Sequence, residues 1–117
     1  MARARWKESL SVAGAVHHSS MPDERLVEIW RRAGVHLDRA RASLTYPADE
    51  ALGLVVEFQD HNELGLALDQ LSDVSDAQRA PRPVWEQLSA AATVMEITQD
   101  DPVHGATVRN ICKHLRQ

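Results

Sequence analysis

Cysteine occurs once in the 117 residues, at Cys112, so no disulfide can form within the chain. A chain of this size without a disulfide framework suits a reducing compartment, and the cytoplasm is the expected location. Aromatic residues are almost as scarce: Trp6, Trp30, Trp85, Tyr46 and Phe58 are all of them. The β-branched and aromatic runs that mark sheets are missing. A core must therefore come from Leu, Val, Ile and Ala, which suits helices packed closely on helices. No run of 18 apolar residues exists, so a membrane-spanning segment is not expected. Arg3, Arg5 and Lys7 precede a short apolar stretch, Leu10 to Val16, but it contains Ser and Gly and no clear cleavage motif follows.

Basic residues are missing where acids are dense. Residues 45–101 hold twelve Asp and Glu against Arg79 and Arg82 alone, whereas residues 1–44 and 102–117 each carry a small positive excess. The net charge of −4 hides this asymmetry. Phosphates need Lys and Arg, so the middle of the chain opposes nucleic acid and attracts basic proteins. Between Asp49 and Asp76 stand eight carboxylates without one Lys or Arg: Asp49, Glu50, Glu57, Asp60, Glu63, Asp69, Asp73 and Asp76. A solvated helix face more often alternates its signs. Two readings stand side by side: a solvated face, neutralised by arginines of an early helix, or an interaction surface. The residues expected to meet a partner are Glu57, Asp60, His61, Glu63, Asp69, Asp73 and Asp76.

The apolar spacing predicts an all-α domain, a small bundle of four to five main helices. A further short N-terminal helix is an option at Trp6, Leu10 and Ala13, within a loosely held extension over residues 1–20. Residues 21–117 form the single helical domain. Its first helix places Pro22 at the first helical position, followed by Asp23 and Glu24. Leu26, Ile29, Trp30, Ala33, Leu37, Ala40 and Leu44 then recur every three or four residues. Gly34 is a point where this helix bends or splits. Pro47 opens a second helix, with Asp49 and Glu50 in its first turn and Ala51 to Phe58 central in the bundle; a buried strand is the rival assignment for that short run. Leu64, Ala67, Leu68, Leu71 and Val74 form an apolar seam, with Asp69, Asp73 and Asp76 on another side. Pro81 and Pro83 mark a boundary. The fourth helix turns Val84, Trp85, Leu88, Ala91, Ala92 and Met95 inward and ends at Asp100-Asp101-Pro102. The last carries Val108, Ile111, Cys112 and Leu115 inward.

Chemistry-bearing patterns are few. There is no His-Glu-x-x-His, no Cys-x-x-Cys and no glycine-rich phosphate loop. Glu57 and His61 stand four apart near Asp60 and Glu63, but three or four convergent ligands are not evident, so no metal is expected. Cys112 and His114 lie two positions apart and point to different faces, which excludes a nucleophile–base pair between them. The last helix with its preceding turn mimics a helix-turn-helix, yet Asp100 and Asp101 sit in the turn. No catalytic residue and no cofactor are expected.

The stretch from Pro47 to Met95 resembles the Maf-type immunity family of bacterial polymorphic toxin systems. The residues that carry the resemblance are Pro47-Ala48-Asp49-Glu50-Ala51-Leu52, the run Asp60 to Asp73, and Leu88 to Met95. The family's helical pattern falls on Glu63-x-Gly65-x-Ala67-x-x-x-Leu71. The basic first 20 residues and the segment after Met95 lie outside it. The resemblance implies a small, helical, cytoplasmic protein that binds a cognate toxin domain, often a nuclease, and neutralises it without catalysis. Gly65 would then let the preceding helix approach closely, and Asp60, Glu63, Asp69 and Asp73 would present charge to a cationic toxin. A helical adaptor or self-associating module, using the Leu64–Val74 seam or Trp30 as an apolar contact, is the alternative.

Overall fold

The computed structural model describes residues 23–117, and the expected N-terminal extension lies outside the described residues. Five helices follow one another: α1 (Glu24–Ala42), α2 (Leu52–Asp60), α3 (Leu64–Gln78), α4 (Arg82–Val94) and α5 (Gly105–Leu115). No strand is present among the described residues, so the run around Val55 is helix and not buried strand. α1 packs along α4, α2 along α3, and α5 closes over α3 and α4. None of these helices is long and apolar enough to cross a membrane.

α1 is capped by Asp23, whose carboxylate accepts the Arg25 N–H at 2.9 Å. Asp23 is thus the cap rather than a first-turn residue, and the helix starts at Glu24. Such caps are favoured because the first amides of a helix have no carbonyl within it. α1 runs unbroken through Gly34, where the expected split does not occur. Hydrogen bonding on either side is continuous, and Ala33, Leu37 and Ala40 are fully buried.

α2 starts five residues later than Pro47 suggests. Tyr46 to Ala51 form turns, and Asp49 accepts the Ala51 N–H (3.0 Å) and a bond from Gln78 Nε2 (3.2 Å). Those bonds, the backbone one foremost, hold the Asp49 carboxyl below its ordinary range. Gln78 also bonds both the amide and the carbonyl of Tyr46, so the α1–α2 connection is tied to the end of α3.

The other helix ends are marked by left-handed residues. Asn62 (φ 57°) turns the chain from α2 into α3, and Arg79 (φ 53°) ends α3 with the Ala80 N–H bonded back to the Ser75 carbonyl. Pro81 then caps α4, with Pro83 in its first turn. The fourth helix stops at Val94, short of Asp100. Glu96 (φ 60°) reverses the chain, and the Ile97 N–H returns to the Ala92 carbonyl at 3.0 Å. Ile97 packs against the core as it does so, the apolar contact that accompanies this kind of helix stop. Asp101 accepts the amides of His104 (2.6 Å) and Val103 (2.9 Å), which starts α5. Gly105 has no room for a side chain: a Cβ there would sit 2.5 Å from the Gln99 carbonyl oxygen.

The core is aliphatic, as the shortage of aromatics requires. Leu37, Val55, Leu68, Leu71, Val84, Leu88 and Ile111 are its large, fully buried members. Each Leu or Ile so placed contributes about 1.5–3 kcal/mol from burial. Among the described residues Trp85 is the one buried aromatic; its indole N–H donates to the Ala80 carbonyl at 3.2 Å, and Trp30 and Phe58 pack at the edge. The whole Leu64–Val74 seam is buried and offers no contact to a partner. Cys112 is half-buried against the core.

Candidate functional site

The acids of the middle segment divide into two groups. One lies on α3 and is met by α5. His104 Nδ1 stands 2.7 Å from Asp69 Oδ2, and the Thr107 hydroxyl donates to Asp69 Oδ1 at 2.7 Å. One turn on, Asn110 Nδ2 donates to Asp76 Oδ2 (2.7 Å) and more weakly to Ser72 Oγ (3.3 Å). His114 Nε2 closes the row on Asp76 Oδ1 at 2.7 Å, its ring stacked on Trp85 with centroids 3.8 Å apart. Residues 69, 72 and 76 share one face of α3, and residues 104, 107, 110 and 114 share one side of α5. Each is spaced by three or four, so the two rows run beside each other. Both oxygens of Asp69 and of Asp76 are engaged, although Asp76 remains 44% exposed and Asp69 30%.

Gly65 belongs to this contact. A Cβ on it would meet His104 Nε2 at 2.5 Å, so the small residue admits the imidazole, not the preceding helix. The close approach expected at Gly65 is real and its partner is different. His104, Thr107, Asn110 and His114 escaped the reading of the sequence. Their regular spacing on α5, matched to Asp69, Ser72 and Asp76, was the available signal.

The second group gathers at the α2–α3 turn. Asp60 is exposed at the end of α2, His61 and Glu63 are half-buried in the turn, and Glu57 is exposed on α2. His61 Nδ1 and Glu63 Oε1 are buried atoms without a hydrogen-bond partner. Asp73, exposed on α3, stands ten residues beyond Glu63, about 15 Å along the helix. The seven residues therefore do not share one compact face. Three of the five arginines of α1 pair with acids outside the Asp60–Asp76 run: Arg31 with Glu28 (2.6 Å), Arg41 with Asp38 (2.7 Å) and Arg25 with Glu96 (2.7 Å). The row that engages the acids comes from α5 and reaches Asp69 and Asp76 by hydrogen bonds.

Beside the α2–α3 turn opens an apolar groove of about 250 Å³, walled by Leu26, Ile29, Trp30, Leu64, Met95 and Ile97. Asn62 and His104 supply its polar edges, and Gly65 lies in the same wall. A neighbouring depression of about 340 Å³ is ringed by Arg25, Glu28, Arg32 and Glu96, charges that largely satisfy one another. Among the described residues no three His, Cys, Asp or Glu converge to hold a metal ion.

The chain matches no family model, no curated protein and no solved structure. What remains is geometry: an acidic turn, an exposed Asp73 and an apolar groove on one small helical domain. The turn and Asp73 offer negative charge to solvent, and the groove offers an apolar seat beside it. Cys112 Sγ accepts a bond from Gln99 Nε2 at 3.5 Å, while His114 is engaged by Asp76.

Proposed function

We propose that the protein binds a basic toxin domain and neutralises it in the cytoplasm, acting by occupancy and without catalysis of its own. The supporting observation is that Arg25, Arg31 and Arg41 of α1 are paired with Glu96, Glu28 and Asp38, while Asp60 and Asp73 stay exposed. Exposed carboxylates of one sign steer a cationic partner and raise its association rate more than its final affinity. A nuclease domain fits this chemistry, because a surface built for phosphates is basic. The family likeness of the Pro47–Met95 stretch supports the same reading.

The test is co-expression with the protein encoded beside it, followed by stopped-flow association at rising salt. A steered complex forms about tenfold more slowly or worse as screening shortens the range of the charges. A rate that ignores salt, or no complex with that neighbour, refutes the proposal.

A second reading rests on a separate observation. Leu26, Val27, Leu54, Leu66 and Val103 are large apolar residues between 40% and 71% exposed. An adaptor or self-associating module would use such residues, with Trp30 at the groove, and its association would barely respond to salt.

A further inference from the structure

We infer that the groove between the start of α1, the α2–α3 turn and the α4–α5 loop seats one large apolar side chain of a basic protein. The inference rests on the binding role proposed above and names the anchor of that surface.

Size limits the occupant first. Sites for cofactors and drug-sized molecules run to about 300–1,000 Å³, and this groove has about 250 Å³. A single aromatic or long aliphatic side chain is the better match. Such side chains, seated in a pocket at the centre of an interface, carry most of the binding energy of protein complexes. The groove is also prepared. Leu26 leaves 41% of its surface open at the mouth, and His104, fixed by Asp69 through Nδ1, sets its imidazole against Gly65 at one edge.

Charge selects the partner. Asp60 and Glu63 flank Asn62 on one lip in the chain, and Asp100 is exposed in the loop that supplies the other. Among the described residues no Lys or Arg lines the groove, and Arg25 and Arg31, next to Leu26 and Trp30 in the chain, are paired with Glu96 and Glu28. Residues on either side of an inserted anchor meet these acids, so Lys or Arg beside the anchor is favoured. A second copy of this chain fits badly, since two molecules of net charge −4 would bring acidic lips together.

Three five-residue probe peptides separate the terms: tryptophan between two lysine pairs, alanine between two lysine pairs, and tryptophan between two glutamate pairs. Binding is followed by NMR shifts of the full chain. The lysine–tryptophan peptide is expected to bind about tenfold more tightly than its alanine counterpart. It alone should shift the Leu26, Met95 and Ile97 methyl groups. Leu26→Asn, at a half-open position that leaves the core intact, should abolish that tenfold advantage. Equal binding of the two lysine peptides, with shifts only near Asp60 and Asp73, overturns the anchor and leaves the basic-partner reading standing. Equal binding of the two tryptophan peptides overturns the choice of a basic partner for the groove. If neither lysine peptide binds, the anchor and the reading it rests on fall together.

Discussion

Two sets of acids in the middle segment use the same side chain in opposite ways. Along α3, Asp69 and Asp76 each receive two donors from α5, so their oxygens hold the bundle together. At the α2–α3 turn, Asp60 is exposed, and Asp73 faces water further along α3. Net charge cannot tell these cases apart, because Thr107 and Asn110 bring hydrogen bonds and no charge. What decides whether a carboxylate is available to a partner is the number of donors already on it.

The contrast can be broken most severely from beneath. Leu68 is fully buried between the two groups, and Leu68→Ala should cost about 2–5 kcal/mol. Thermal or urea unfolding would register this as the loss of both surfaces together. Gly65→Ala comes next: the new methyl group must displace the His104 ring, and overpacking of this kind costs about 1–3 kcal/mol. Its effect should shrink in an Asp69→Ala background, where His104 has lost its anchor, and a double-mutant cycle measures that coupling.

Asp69→Ala and Asp60→Ala sharpen the comparison directly. Asp69→Ala removes two hydrogen bonds, each about 0.5–1.5 kcal/mol, so its unfolding midpoint should fall. Asp60→Ala should stay within about 0.5 kcal/mol of the parent. In partner association the order reverses. Asp60→Lys with Asp73→Lys slows binding at low salt, and Asp69→Ala leaves the rate nearly unchanged.

The smallest effect lies at the start of α5. The amides of His104, foremost, and Val103 hold the Asp101 carboxyl below its ordinary value of 3.8. A carboxyl lowered by folding stabilises the native state above that value, and the contribution disappears as the pH falls below it. Amide exchange in the first turn of α5 should quicken below about pH 3.8. Asp101→Asn keeps an acceptor that does not titrate, so its exchange should lack this step.

Much of the architecture was readable because apolar periodicity and core position have one cause. Ala33, Leu37 and Ala40 on α1, Leu64, Ala67, Leu68, Leu71 and Val74 on α3, and Val84, Trp85, Leu88, Ala91 and Ala92 on α4 are buried where their spacing puts them. Boundaries set by side-chain and backbone caps were not. Asp49 delays α2 by binding the Ala51 amide, and Glu96 ends α4 early by adopting a left-handed backbone that few residues other than glycine visit. The candidate site was read least well. Eight carboxylates in a row count the same whether α5 lies over them or not, and only matching its polar row to theirs separates Asp69 and Asp76 from Asp60.

The stacking of His114 on Trp85 has an optical consequence. Indole emission responds to whatever lies on its face, so undocking of α5 should alter the Trp85 signal before the core itself opens. Trp30, at the groove, looks out on the opposite business of the molecule. With Trp6 replaced throughout, removing Trp30 or Trp85 in turn would leave a single indole, one reporting closure of the bundle and the other arrival of a guest.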